Sequence, residues 1–329
     1  MLNLTDFDFN LPKELIAQYP LEKREAAKLI VIHRKSGRIE HRIFKDVPDY
    51  LLPQDLLILN NTRVLSCRIF GRRNTGGKVE ALLLDKKSKN SFSCMIKPAR
   101  IKIGEEILFN SSRIKGVLTA RNQIQFSLPC DQVYAHGSMP LPPYIKRNPE
   151  PLDDIYYQTE YAEIAGAVAS PTAGLHFTRG LLKDIADKGT DIAYVTLHVG
   201  PGTFKPVKAE NILEHKMDAE QFFVPDKTIG LINKAKKDNS RIVAVGTTSL
   251  RVLETYASGR KEGSTDLFIY PGYKFRSADC LLTNFHLPKT TLFMLVCAFA
   301  GIKLAKKAYL EAIDRKYRFY SYGDAMLII

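Results

Sequence analysis

The chain has 329 residues, enough for one large or two medium domains, each with its own core. With 45% hydrophobic and 25% charged residues it has globular composition, which excludes a disordered or fibrous chain. Its net charge of +13 is unevenly placed: residues 62–149 hold sixteen basic and five acidic residues, a net +11. Clustered Lys and Arg fit a polyanion partner, and a solubilising surface is the plainer alternative.

The N-terminal "MLNLTDFDFNLPKEL" lacks the basic segment and long apolar stretch of a signal peptide. From Lys78 onward come short β-rich runs, "KVEALLLD", "SFSCMIKP", "EEILFN", "IKGVLTA" and "QIQFSLP", broken by turn residues. Their length and spacing predict a small barrel or sandwich. "GSMPLPPYIKR" (137–147) is too proline-rich for a helix and reads as an extended connector.

Beyond it, "DIAYVTLHVGPGTF" (191–204), "RIVAVGTTSLRVLETYAS" (241–258) and "DCLLTNFHLP" (279–288) each read as a strand ending in a polar loop. In the second, Leu250, Leu253 and Tyr256 have helical spacing after the loop. The apolar run Leu292–Ile302 is about half of the ~20 residues a membrane span needs, and so predicts a buried helix. "KLAKKAYLEAIDRKY" follows as a helix and "DAMLII" as a final strand. The expected fold is an α/β main domain built from both ends of the chain, 1–61 and 150–329. An all-β, barrel-like and basic domain is inserted at 62–149.

Five widely spaced cysteines with no C-x-x-C pair give no disulfide framework or zinc site, and the histidines form no H-x-x-x-H or H-E-x-x-H pair. The expectation is a cytoplasmic protein without a metal. Ligands of α/β sheets bind beyond strand C-termini, which directs attention to the polar loops. Gly246-Thr247-Thr248-Ser249 suits an anion or a ribose, although an ordinary helix cap explains it as well. His198 precedes the Gly200-Pro201-Gly202 turn, and Asn284 and His286 alternate with Phe285 and Leu287. "SPTAGLHFT" (170–178) brings His176 after a Pro-Thr-Ala-Gly turn. "EHKMDAEQF" (214–222) gathers His215, Asp218 and Glu220. His215 and Asp218 have the spacing to share a helix face, and Asp218 and Glu220 that to share a strand face. Any one of these loops is more simply a solvated loop; four histidine-bearing loops in one domain favour a site.

These motifs, with "AQYPLEKR", "LNNTRVLSCRIFG", "GSMPLPPYI", "YQTEYAEIAGAVASPTAGLHFT", "HKMDAE", "FIYPGYKF" and "YRFYSYGDAML", resemble the S-adenosylmethionine:tRNA ribosyltransferase-isomerases of queuosine biosynthesis. They follow that family's order over nearly the whole chain. The resemblance implies transfer and isomerisation of the ribosyl group of S-adenosylmethionine onto 7-aminomethyl-7-deazaguanine at the tRNA wobble position. Epoxyqueuosine, adenine and methionine are the implied products. It implies S-adenosylmethionine as a co-substrate with no further cofactor, a tRNA with a GUN anticodon carrying the precursor, no membrane, and a monomer.

Two positions depart from the family pattern. Asp218 stands where the family has a second histidine, and Ala27-Lys28 where it has Ser-Arg. An aspartate can accept a proton or a hydrogen bond but is no cationic acid. From chemistry and motif position, the candidates for proton transfer are His176, His198, His215 and His286, with Asp218 or Glu220 orienting or replacing an imidazole. Thr172, Gly174, Thr247, Thr248, Arg251 and Asn284 are the candidates for substrate contacts. The alternatives are an S-adenosylmethionine-dependent tRNA methyltransferase, which would lack its Gly-rich loop and acidic ribose ligand, and an inactive tRNA-binding relative, hinted at by Asp218.

Overall fold

Among the described residues, nine strands from the two flanks of the chain pair into one mixed sheet. The computed structural model describes residues 2–110, 113–204, 207 and 209–329; Lys205 and Pro206, at the end of the Gly-Pro-Gly motif, lie outside the described residues. The sheet strands are β1 (Lys28–Ile32), β2 (Ile39–Ile43), β3 (Leu56–Asn60), β4 (Asp191–Leu197), β5 (Glu220–Phe223), β6 (Ile242–Val245), β7 (Glu262–Thr265), β8 (Cys280–Asn284) and β9 (Ala325–Ile328). Their order is β7-β5-β4-β3-β6-β8-β9-β1-β2.

Strands β4, β3, β6 and β8 are parallel neighbours, so their C-terminal ends reach one edge. β9 runs antiparallel to β8 with Ala325 opposite Asn284, which brings the residues just before β9 to the same edge.

The central strands read as unbroken apolar runs because both faces are covered. Side chains alternate along a strand, so Leu56 and Ile58 of β3 join one buried cluster while Leu57 and Leu59 join the other. Five helices supply the partners: α1 (Arg179–Asp187), α2 (Asp226–Lys237), α3 (Gly246–Tyr256), α4 (Thr291–Ala300) and α5 (Ile302–Asp314). The first cluster takes Ile232 of α2, Leu250 and Leu253 of α3, Phe293 of α4 and Tyr309 of α5. The second takes Leu181 and Ile185 of α1 with Phe44 and Phe177.

The apolar run predicted to be a buried helix is α4. Thr290 caps it by accepting the Phe293 N–H at 3.3 Å, and Gly301 ends it at φ +86°, where glycine is unstrained. Among the described residues no helix is long and apolar enough to cross a membrane.

The five predicted β-rich runs, Lys78–Ser88, Ser91–Lys97, Glu106–Phe109, Ile114–Ala120 and Gln123–Phe126, close with a sixth, unpredicted strand, Arg68–Arg73, into an antiparallel barrel. Its core is aromatic, with the Phe126 ring 5.9 Å from Phe92 and 5.4 Å from Phe109. Gly71 and Gly116 admit Phe109 between strands: a Cβ on either would lie 2.6 or 2.9 Å from its ring. By contacts the barrel unit comprises Val64–Pro142 with Asn148–Tyr157, whereas Pro143–Arg147 groups with the sheet unit. The break therefore falls inside the proline-rich connector, and residues 150–157, assigned from sequence to the α/β domain, group with the barrel.

Candidate active site

The polar loops after β3, β4, β6 and β8 stand side by side, as the parallel order requires. Gly246 follows β6 at φ +86° and α3 begins at once. No side chain caps α3, so Thr247 and Thr248 are not spent as helix caps and instead line a cavity. Tyr144, Ser170, Thr172, Thr283, Asn284, His286, Tyr320 and Ser321 complete its polar lining. The cavity encloses about 50 Å³. Sites for whole ligands usually offer ~300 Å³ or more, so this cavity as it stands takes only part of one.

Asn284, 2% exposed, organises one wall. Its Nδ2 donates to His176 Nε2 at 3.2 Å and to the Asp324 carbonyl at 3.4 Å, and its Oδ1 accepts the Thr172 hydroxyl at 2.7 Å. This pattern makes His176 Nε2 the acceptor and leaves the ring proton on Nδ1. Burial pushes the His176 pKa down to about 4, with the Arg24 and Arg318 charges acting the same way and a hydrogen bond to the Arg24 backbone opposing. Burial pushes His286 down to about 3. Its Nε2 lies 3.0 Å from the Thr283 hydroxyl, and its backbone N–H donates to the Tyr309 hydroxyl at 3.0 Å. Both imidazoles are neutral near pH 7.

His176 stands behind Asn284 and is not part of the cavity lining, and His198, His215, Asp218 and Glu220 form a second group that does not line it either. His198 Nδ1 lies 2.8 Å from the Thr62 hydroxyl, and its ring packs on Gly166, where a Cβ would come within 2.6 Å of it. Burial lowers its pKa. Glu220, at the head of β5, accepts the Gly200 N–H at 2.9 Å and pairs with Arg251. The exposed Asp218 places its carboxylate against Gly202, 2.2 Å from where a Cβ would stand. His215 rests on the Phe268 ring, centroids 5.4 Å apart; burial lowers its pKa and Asp218 opposes this.

Two candidates have structural roles, and one expectation needs correction. Arg251 is 4% exposed and its guanidinium is committed to Glu220 and to the Leu267 and Thr265 carbonyls. It ties α3 to the β5 and β7 side and does not reach the cavity. Gly174 has a packing reason, because a Cβ there would lie 2.0 Å from the Tyr161 hydroxyl. His215 and Asp218 share no helix: a single turn, Ile212–Glu214, precedes them and β5 begins only at Glu220.

Sequence reasoning also missed residues. Asn60 donates to the Leu197 carbonyl at 3.0 Å and to Thr248 Oγ1 at 3.2 Å, tying together the ends of β3, β4 and α3. Its signal was the polar Asn60-Asn61-Thr62 directly after an apolar strand. Ser170, 6% exposed, lines the cavity with no hydrogen-bond partner for its hydroxyl among the described residues. A buried donor left unmatched in a polar cavity fits a ligand contact. Arg24 Nη1 donates to the carbonyls of Gln158 and Leu175 at 3.0 and 2.9 Å, holding the His176 turn.

A polar cavity lined by the buried neutral imidazole of His286, with His176 behind Asn284 in its wall, at the C-terminal edge of a parallel sheet core defines an α/β enzyme. The family model described as "Queuosine biosynthesis protein" matches residues 4–328. A relative from Sulfurihydrogenibium sp. (strain YO3AOP1), named S-adenosylmethionine:tRNA ribosyltransferase-isomerase, is 49% identical over 100% of both chains. One of the same name from Thermosipho melanesiensis is 47% identical over 99% of this chain and 100% of its own. The crystal structure of S-adenosylmethionine tRNA ribosyltransferase from Thermotoga maritima superimposes with a TM-score of 0.58 at 37% identity, covering 98% of this chain and 100% of that one. The chain belongs to the queuosine biosynthesis protein family.

Proposed function

We propose that the chain transfers and isomerises the ribosyl group of S-adenosylmethionine onto 7-aminomethyl-7-deazaguanine at the tRNA wobble position, releasing adenine and methionine. The full-length correspondence with relatives of that name carries this reading, and the cavity supplies chemistry that fits it. The sulfonium acidifies the adjacent 5′ carbon, so the first step needs a base. His286, held neutral by burial and lining the cavity, can accept that proton, and His176 can do so at Nε2 only by giving up its hydrogen bond from Asn284. The imidazolium so formed can return a proton to the departing adenine. The aminomethyl nitrogen then attacks the ribose and methionine leaves.

Thr247, Thr248 and Ser170, with the free N–H groups of the first turn of α3, suit the ribosyl hydroxyls or the methionine carboxylate. Asn284 fixes the His176 tautomer. Asp218 and Glu220 hold the neighbouring Gly200–Gly202 turn, which follows His198, and with His215 they would act from that side. The partner is a tRNA with a GUN anticodon, and the enzyme works as a cytoplasmic monomer that consumes S-adenosylmethionine and uses no metal.

Incubation with S-adenosylmethionine and tRNA bearing the precursor, followed by nucleoside mass analysis, tests the reading. Epoxyqueuosine supports it. A gain of one methyl group assigns a methyltransferase, and unchanged tRNA an inactive relative.

A further inference from the structure

The outward face of three barrel strands carries a feature the chemistry above does not use. In the strand Arg68–Arg73 the side chains of Arg68, Phe70 and Arg72 alternate with the buried Ile69. Phe70 is 41% exposed, whereas the other barrel phenylalanines at 92, 109 and 126 are no more than 2% exposed. Register sets Phe70 opposite Glu80, Glu80 opposite Lys97, and Arg72 opposite Lys78. In the next row Arg68 faces Leu82, and Leu82 faces Met95, itself 48% exposed. The one acid, Glu80, is neutralised by Arg68 at 3.0 Å. Arg68 also holds its guanidinium 5.2 Å from the Phe70 ring centroid, bracing the ring and keeping positive charge beside it.

Two clefts meet at this ring. One, of about 690 Å³, runs between Phe70, Lys97, Pro98 and Asn148. The other, of about 510 Å³, runs between Phe70, Arg72, Asn74 and Leu108. Phe70 and Lys78 belong to both.

We infer that this face is a stacking platform for unpaired nucleotides of the tRNA substrate, with Phe70 as the shelf for a base and Arg72, Lys78 and Lys97 as contacts to the flanking phosphates. An exposed ring between cationic clefts is the arrangement by which β-barrels hold single strands: any base offers a π face, and the backbone tracks the charges. Paired bases present no free face to such a ring. A purely electrostatic surface would need the lysines but not an exposed phenylalanine, and a purely apolar protein contact would not surround one with four cations. The inference rests on the reading of the chain as a tRNA-modifying enzyme and locates part of its substrate contact.

The test is equilibrium binding by the full-length chain to a fluorescein-labelled RNA hairpin with an unpaired loop, and to a fully paired duplex of the same composition. Phe70→Ala and Phe70→Leu are expected to weaken hairpin binding by about tenfold or more and duplex binding by roughly twofold or less, with Phe70→Tyr close to wild type. Lys78→Gln with Lys97→Gln is expected to weaken both and lower the salt slope by about one to two. Unchanged melting temperatures establish that the variants fold. Hairpin affinity unaffected by Phe70→Ala and Phe70→Leu, or a loss of self-association with RNA binding intact, overturns the proposal. Binding is read without turnover, so failure of wild-type protein to modify tRNA would count against the enzymatic reading and not against the platform.

Discussion

Asn284 donates its side-chain amide to Nε2 of His176, 108 residues away in sequence, and so decides which imidazole nitrogen carries the proton. Asn284→Ala leaves that nitrogen and the Thr172 hydroxyl without this partner. We expect kcat to fall about 100-fold. Asn284→Asp sets a carboxylate beside the ring, raises its pKa and moves the acidic limb of the kcat–pH profile upward. Profiles identical to wild type would remove His176 from the proton-transfer role.

Buried histidines also make stability depend on pH. The folded-state values of about 4 for His176 and about 3 for His286 lie below the ~6.5 of an unfolded chain, so protonation favours unfolding. Their contribution is complete above pH ~6.5 and is lost as pH falls through the folded values. The His176 shift alone corresponds to something on the order of 3 kcal/mol. Urea melts between pH 7 and 4 are expected to show this loss, reduced in a His286→Asn variant; parallel curves would contradict it.

Much of this arrangement was legible in the sequence, because parallel strands buried on both faces announce themselves as apolar runs ending in polar loops. Thr247, Thr248, Asn284 and His286 came from that signal, and His176 from the Pro-Thr-Ala-Gly turn before it. What escaped was pairing across distance. Nothing local says that Arg251 meets Glu220 thirty-one residues earlier, or that Gly174 makes room for Tyr161. Asn60 escaped for the same reason: its partners Leu197 and Thr248 lie 137 and 188 residues away, and only the fold shows that its hydrogen bonds join three strand or helix ends.

The Glu220–Arg251 pair, each residue no more than 5% exposed, gives a stability prediction. Removing one partner strands a buried charge, so Glu220→Ala or Arg251→Ala is expected to cost about 3–5 kcal/mol. Because Glu220 also accepts the Gly200 N–H, Glu220→Gln is expected to keep more activity than Glu220→Ala. Denaturant melts and steady-state rates check both points; a cost near zero would mean the pair does not tie α3 to β5.

Two glycines test the packing account against each other. Gly174→Ala drives a methyl into the buried Tyr161 hydroxyl and is expected to destabilise by about 1–3 kcal/mol. Gly230, within α2, has no atom within 4 Å of where a methyl would stand, and Gly230→Ala is expected to stabilise by about 0.5–1 kcal/mol. Equal effects would show that the Tyr161 contact is not what requires glycine at 174.

The central claim is that the cavity at the β3–β4–β6–β8 edge turns S-adenosylmethionine into adenine, methionine and a modified tRNA. Single-turnover release of adenine, with and without precursor-bearing tRNA, measures it most directly. The expected result is one adenine per epoxyqueuosine formed, none without the tRNA, and a loss of about 100-fold or more in a His176→Phe, His286→Phe double variant that still folds. Adenine release by that variant at the wild-type rate, or tRNA modification without adenine, would contradict the account.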